Sequence, residues 1–409
     1  MAVYLLVTLD TKGPEAAFVR DRLDALGVEV RVVDTGCLGE PAFVADVSRD
    51  AVFAAASASH ADLVQQGDRG KAVESAATGA AEIVAQAHAR GELSGVLGLG
   101  GSAGTTIGTA AMRALPLGVP KLMVSTLASG QVRPYVGEKD VLMLNSVVDI
   151  AGINRISRLI LGEAAAAMAG MVRYRAESHD VGDKPLVAAT MFGVTTPCVQ
   201  EARKLLEEAG CEVLVFHATG SGGRAMESLI EDGLIAGVLD ITTTELADEL
   251  VGGVLSAGPD RLNAAARRGV PQVVSVGATD MVNFGPRDTV PARFVSRTFY
   301  QHNPTVTLMR TTAEENAKLG EEIGRKVSAS TAPAAIMIPL LGVSAIDREG
   351  QSFDDPPARR ALFDAIRKSH GKIELIELEN HINDPAFARA AAEKLLALMR
   401  AHAAIHKAT

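Results

Sequence analysis

Val3-Tyr-Leu-Leu-Val-Thr-Leu-Asp-Thr-Lys-Gly-Pro14, followed by Gly27-Val-Glu-Val-Arg-Val-Val33, decides the fold class. Val3 to Leu9 is apolar without alternation, as in a strand buried on both faces. Asp10 to Pro14 reads as a turn, with Pro14 suited to the first turn of a helix. Phe18, Leu23 and Leu26 give that helix an apolar stripe, and Gly27 ends it. Val28 to Val33 is a second strand. Strand, helix, strand is the βαβ unit of a parallel sheet.

The pattern returns. Gly27-Val-Glu-Val is answered by Gly210-Cys-Glu-Val at an offset of 183 residues, which without a gap also pairs Pro14 with Pro197, Arg20 with Arg203 and Leu23 with Leu206. Asp34 falls on His217. Gly95-Val-Leu and Gly118-Val-Pro reappear in order as Gly237-Val-Leu and Gly269-Val-Pro, at offsets of 142 and 151. A shared glycine-then-strand habit explains scattered matches; the ungapped run favours an internal repeat. The expected fold class is therefore α/β, with two Rossmann-like lobes on mainly parallel sheets, 1–178 and an enlarged 183–409. The polar stretch 176–184 reads as the linker, and the ligand cleft is expected between the lobes.

Between these anchors, residues 40 to 90 read as helical and Ala-rich. Strands are expected at 95–100, 121–125 and 141–144, and a long helix at 153–174. The second lobe adds strands at 272–276, 306–309, 334–338 and 373–378. Its further helices are expected near 259–268, 312–328, 357–369 and 385–403.

The chain has 409 residues, 47% hydrophobic and 22% charged, which excludes disorder as the main state. Its 40 basic and 49 acidic residues give a net charge of −9, the wrong sign for a general nucleic-acid binder. Any anionic ligand must be held by local donors. Three unpaired cysteines fit a reducing cytoplasm, and no stretch reads as a signal or membrane span.

In open parallel sheets, ligands sit beyond the carboxyl ends of strands. Leu99-Gly-Gly-Ser-Ala-Gly-Thr-Thr106 lies at such an end. Gly100, Gly101 and Gly104 let backbone amides approach phosphate, while Ser102, Thr105 and Thr106 add hydroxyls. It is not a Walker loop, since no Gly-Lys-Ser/Thr ends it. Asp10, Thr11 and Lys12 follow the first strand; Lys12 can serve as a point charge on phosphate, or Asp10 and Thr11 as a plain helix cap. Asp34 ends the second strand, where an acid suits ribose hydroxyls. In the second lobe, Gly193, Thr195 and Thr196, then Gly220, Gly222 and Gly223, then Thr242, Thr243 and Thr244 form a second candidate anion rim. Arg224 is a candidate clamp and His217 the best general-base candidate. Cys198, in a helix's first turn, has no His or Asp partner in view. Asp240, Glu245 and Asp280 are candidate metal ligands without a metal spacing.

Thr8-Leu-Asp-Thr-Lys-Gly13, Gly100-Gly-Ser-Ala-Gly-Thr105 and Ser146-Val-Val-Asp149-Ile-Ala-Gly-Ile-Asn154 resemble the UPF0261 family, also called Tm-1-like ATP-binding proteins. So do Phe192-Gly-Val-Thr-Thr, His217 through Glu227, Asp240-Ile-Thr-Thr-Thr-Glu-Leu, Gly277 through Gly285, Phe353-Asp-Asp-Pro356 and His381-Ile-Asn-Asp-Pro385. The likeness runs through essentially the whole chain. It implies two Rossmann-like subdomains, ATP with magnesium, a homodimer and, by analogy with a plant member, a separate TIM-barrel partner. Three functional readings stay open. The first is an ATP-binding protein with or without an ATP-dependent step. The second is an enzyme on a small phosphorylated or carboxylated metabolite, using His217 and Arg224. The third is a nucleotide-gated interaction module.

Overall fold

Strand β1 (Ala2–Val7) is buried along its whole length, which is why it carries apolar residues without alternation. The computed structural model in which it lies describes residues 1–177 and 184–408. The chain divides into two compact units, 1–181 and 182–409. Most of the expected linker lies outside the described residues.

In unit 1, β1 is followed by β2 (Val30–Asp34), β3 (Leu93–Gly100), β4 (Lys121–Ser125) and β5 (Leu142–Asn145). They form one five-stranded sheet, β2-β1-β3-β4-β5, with every pair parallel. Alternate residues of β1 enter two cores. Val3, Leu5 and Val7 meet helices Leu9–Ala25 and Arg155–Glu177. Tyr4 and Leu6 meet helices Arg69–Ala89 and Ser102–Arg113. The 40–90 segment holds three helices, Arg49–Ala55, His60–Gln66 and Arg69–Ala89, started by the side chains of Ser48, Ser59 and Asp68.

One local expectation changes. Leu9 to Lys12 forms a single turn, with Lys12 N donating to Thr8 O at 2.9 Å, and the regular helix resumes after the break at Lys12, so the expected turn before Pro14 is present but is wound as helix from Leu9. Its cap residue is Thr8, not Asp10 or Thr11, and the first turn is kinked at Lys12 (φ −132°, ψ 29°). The amide of Leu9 is held at 3.1 Å by the carboxylate of Asp34, which fixes this first turn to the end of β2.

Unit 2 contains β6 (Leu186–Met191), β7 (Glu212–His217), β8 (Gly237–Thr242), β9 (Gln272–Gly277), β10 (Met281–Phe284), β11 (Phe299–Asn303), β12 (Val306–Arg310), β13 (Ala334–Pro339) and β14 (Glu374–Leu378). Six of them make a parallel sheet in the order β7-β6-β8-β9-β13-β14. The other three form an antiparallel sheet, β10-β12-β11. β12 was expected as part of the enlarged lobe and proves to belong to this small sheet.

The strand order of unit 1 thus recurs in unit 2, with β14 added. Equivalent hydrogen bonds recur at the offsets read from the sequence. Val28 N donates to Leu23 O at 3.0 Å, as Cys211 N does to Leu206 O. Val96 N donates to Pro120 O at 2.8 Å, and Val238 N to Pro271 O at 2.9 Å. Gly27 and Gly210 both take positive φ, 75° and 90°, the left-handed conformation that closes each helix. The match is not perfect. Val30 lies opposite Val3, whereas Val213 lies opposite Val187, a slip of one residue.

Candidate functional site

A cleft of about 430 Å³ opens at the carboxyl edge of the unit 1 sheet. Its lining includes Thr8, Asp10, Thr11 and Lys12 after β1, Cys37 to Gly39 after β2, and Gly101 to Gly104 after β3. Arg69 and Val73 close one side. β1 and β3 are adjacent, while the chain leaves β1 first for β2 on the other flank. This is the topological switch point, where open parallel sheets take their ligands.

Two helix N-termini reach this place, those of Leu9–Ala25 and Ser102–Arg113. The cap residue of the second is Gly101, which offers no side-chain acceptor. The first amides of that helix, at Ser102, Ala103 and Gly104, are therefore available to an anion. Lys12 is steadied by Nζ donating to Ile150 O at 2.6 Å and still lines the cleft. Arg69 is exposed at the first position of its helix. The positive end of that helix is met by its cap Asp68, which accepts from Lys71 N at 3.0 Å, and Arg69 lines the cleft beside it. Within a chain of net charge −9, the cleft is a local positive spot.

The other residues of this edge shape the cleft. Asp10 Oδ2 accepts from Leu38 N at 3.2 Å and Gly39 N at 3.1 Å, which folds the loop after β2 over the site. Asp10 Oδ1 is buried without a hydrogen-bond partner. Asp34 is buried; besides Leu9 N it accepts from Gly36 N at 2.9 Å and pairs with Arg49 at 2.9 Å. Its carboxylate is committed to the strand end and is not among the cleft-lining side chains. Thr11 pairs with Thr8 through hydroxyls at 2.9 Å. Thr105 bonds Ser125 at 2.6 Å, and Thr106 donates back to Ser102 O at 2.9 Å, so both hydroxyls stabilise the loop from behind. The Cys37 thiol is pushed up to about 11 by burial and by the neighbouring Asp10, which disfavours its thiolate.

The glycines of the loop differ in kind. A side chain on Gly101 would meet only Thr126 Oγ1, at 3.6 Å. A side chain on Gly100 would lie 2.6 Å from the backbone of Gly104, and one on Gly104 would lie 3.0 Å from Leu99 O. Gly100 and Gly104 let strand and helix approach closely, while Gly101 fronts the cleft.

The loops of unit 2 are filled by the unit's own side chains. Glu245 Oε1 accepts from Gly220 N at 2.6 Å and Gly223 N at 3.1 Å, so a carboxylate occupies the N-terminus of helix Ser221–Glu231. A Cβ on Gly223 would fall inside that carboxylate, and one on Gly222 would strike His217 O. Arg261, fully buried, links Glu245 Oε2 at 2.7 Å to both oxygens of Asp240 at 2.5 and 2.7 Å. Glu227 stands at 3.3 Å. Asp240 and Glu245 do converge, but on a guanidinium. Thr242 bonds Thr195 at 2.8 Å and Thr190 O at 3.1 Å; Thr243 donates to Ser275 O at 3.1 Å; Thr244 is reached by Asn283 Nδ2 at 3.4 Å. All three threonines are buried. Thr196 donates to Phe192 O at 3.1 Å, and Gly193 is exposed. Arg224 donates to Ser256 O at 3.0 Å. His217 is exposed at the end of β7. The Cys198 thiol is raised to about 12 by burial.

Asp280 is not among the partners of Arg261. Its Oδ2 accepts from Ser344 at 2.8 Å, and burial together with Asp347 pushes its carboxyl up to about 7. Among the described residues, no three His, Cys, Asp or Glu side chains are grouped to hold a metal.

Fold and cleft together define an α/β protein of two units, each on a doubly wound parallel sheet, one of them with an open switch-point cleft. The chain belongs to the UPF0261 family. Residues 1–177 match the N-terminal domain of this uncharacterised protein family, and residues 184–399 its C-terminal domain. A UPF0261 protein of Clostridium tetani is 52% identical over 97% of this chain and 98% of its own length. The ToMV resistance protein Tm-1(GCR237) of Solanum lycopersicum is 47% identical over 74% of this chain and 41% of its own length. Among solved structures, a putative UDP-N-acetylglucosamine 2-epimerase from Listeria monocytogenes aligns over 98% of this chain and 97% of its own at 12% identity, with a TM-score of 0.21. That score is too low to carry an argument. No described helix is long and apolar enough to cross a membrane.

Proposed function

We propose that unit 1 binds a phosphorylated nucleotide, with ATP the first candidate, in the cleft between the loops after β1, β2 and β3. The observation that carries this is the uncapped N-terminus of helix Ser102–Arg113 at the switch point, faced by Arg69 and Lys12. Amides at 102–104, the Ser102 hydroxyl and Arg69 would hold phosphate oxygens, and Lys12 would add a point charge. Magnesium usually arrives with the phosphates and takes one or two protein carboxylates. Asp10 is the carboxylate in the lining, and the ion would neutralise phosphate charge there. An ATP-dependent step shared with a separate barrel protein belongs to the same proposal. So does a role as a nucleotide-gated partner surface. The loops of unit 2 keep their donors for internal partners and take no part in it.

The test is calorimetric titration of the whole chain with MgATP, MgADP and inorganic phosphate, repeated on Arg69→Ala. The expected result is saturable nucleotide binding, weakened at least about tenfold by Arg69→Ala, a loss of about 1.4 kcal/mol. Binding of a phosphorylated metabolite in place of any nucleotide would move the reading to a metabolite enzyme. Nucleotide binding unaffected by Arg69→Ala would place the ligand elsewhere.

A further inference from the structure

Another cavity, of about 570 Å³, opens at the amino edge of the unit 2 sheet. Its lining comes from residues just before β6, β7, β8 and β9 and from the last turns of helix Pro385–Ala408. Cys211, Ile235 and Val270 are the buried apolar part of that lining. Met399 reaches in from the helix and uses the space left by Gly237, where a Cβ would lie 2.6 Å from its sulfur. A largely apolar wall with a few polar groups is the usual make-up of a small-molecule site.

Two guanidiniums belong to the lining, those of Arg268 and Arg400, and no acidic residue does. Both arginines are exposed. Neither has an ion-pair partner among the described residues. Arg268 Nη2 lies 3.2 Å from where a Cβ on Gly233 would stand, so its head group rests against the loop that enters β8. Helices Thr196–Glu208, Ser221–Glu231 and Ala264–Arg268 all end beside the cavity, and their negative ends disfavour a doubly charged phosphate. A single carboxylate suits a guanidinium fork and leaves the second arginine to offset the helix ends.

The repeat shows what distinguishes this place. At the offset of 183, Ala209 stands where unit 1 has Leu26, and Cys211 where it has Val28. At the offset of 151, Arg268 stands where unit 1 has Leu117. Leu26 and Val28 pack against the unit 1 core. The frame itself is kept, since a Cβ on Gly95 would lie 3.0 Å from Met168 Sδ, as one on Gly237 would crowd Met399. Unit 2 has thus shortened two apolar side chains and put a cation beside the space. Packing alone favours the larger residues.

We propose that this cavity binds a small amphiphilic carboxylate. Its aliphatic chain would lie on Cys211, Ile235, Val270 and Met399, and its carboxylate would be held by Arg268 and Arg400. The site lies in unit 2, at the amino edge of its sheet, and does not depend on the nucleotide reading.

Calorimetric titration of the full chain with decanoate, decanamide and decyl phosphate, each below its micellar concentration, tests it. Decanoate is expected to bind saturably, one per chain, and decanamide at least about tenfold more weakly. Arg268→Leu should weaken decanoate at least about tenfold. Ala209→Leu, which restores the bulk that unit 1 carries, should abolish binding. Both positions are exposed, so melting temperatures should stay near that of the wild type, and MgATP titrations should be unchanged in both variants. Absence of saturable decanoate binding overturns the proposal. So does binding that Ala209→Leu leaves intact, decanamide or Arg268→Leu binding as tight as the wild type with decanoate, or decyl phosphate binding more tightly than decanoate.

Discussion

Gly101 and Gly104 stand in one short loop and do different things. Space is open in front of Gly101, whereas a side chain on Gly104 would press on Leu99 O. Gly101→Val is therefore expected to leave the melting temperature nearly unchanged and to abolish nucleotide binding, by blocking the approach of phosphate to the helix amides. Gly104→Val is expected to cost about 1–3 kcal/mol of stability, as overpacking does, which makes it a poor probe of binding. Denaturant melts beside titrations separate the two; an unfolded Gly101→Val or a stable Gly104→Val reverses the assignment. The sequence shows the glycines but not which of them front a ligand, because that depends on Leu99 and Thr126 coming to rest beside them. Arg69 was missed for a related reason, although a signal existed. A basic residue stands directly after the capping Asp68, in a helix whose first turn holds no acid.

Also at the residue scale, Asp248 and Asp280 are held up at about 7 by burial, against an ordinary value of 3.8. Their folded-state affinity for protons is raised. The stability they contribute is full below about pH 4 and declines as pH rises through about 7. Asp280→Asn, which keeps an oxygen for Ser344, should flatten this decline. Melting temperatures in mildly acidic and mildly alkaline buffer should fall less between the two for the variant than for the wild type. An equal fall in both would mean that Asp280 is ionised throughout.

At the scale of elements, the two repeats diverge in what fills a helix N-terminus. Gly220-Ser-Gly-Gly223 and Gly100-Gly-Ser-Ala-Gly104 look alike as sequence, and both read as anion loops. In unit 2 the anion is Glu245, which is 25 residues from Gly220 and reaches it only through the fold. Strand order and turn glycines were legible because they rest on local chemistry, the αL glycine and the apolar run. The occupant was not, since it is a tertiary event. The β10-β12-β11 sheet was only partly legible. β11, Phe-Tyr-Gln-His-Asn, is largely polar and exposed, and its pairing is set by β12 rather than by its own pattern. The Arg261 cluster makes a sharp prediction. Arg261→Met leaves Asp240, Glu245 and Glu227 facing one another without their cation. It should destabilise unit 2 by about 3–5 kcal/mol, read as a lower denaturant midpoint. A neutral result would mean that water or protonation already balances these acids.

For the whole molecule, the repeated strand order raises the question of which sheet edge takes a ligand. Symmetry of sequence favours neither. Both units carry a strand-to-helix loop rich in glycine and a hydroxyl-rich turn beside it. The structure breaks the tie by accounting for donors. In unit 2 the amides of Gly220 and Gly223 and the hydroxyls of Thr242 and Thr243 already have acceptors within the unit. An incoming phosphate would have to displace them, at the cost of exposing Arg261 and its acids. In unit 1 no side chain caps the helix that begins at Ser102, and residues 102–104 and Arg69 line the open cleft, so a ligand there need not displace an internal acceptor. Hydrogen exchange on the full chain, with and without saturating MgATP, reads this directly. Slowed exchange is expected at 8–12, 37–39 and 101–106, and none at 217–224 or 242–246. Amides bonded to Glu245 should already be slow in the free protein, whereas those of Ser102 and Ala103 should be fast. Protection confined to 217–224 would show that Glu245 gives way to the ligand, and would move the binding site from unit 1 to unit 2.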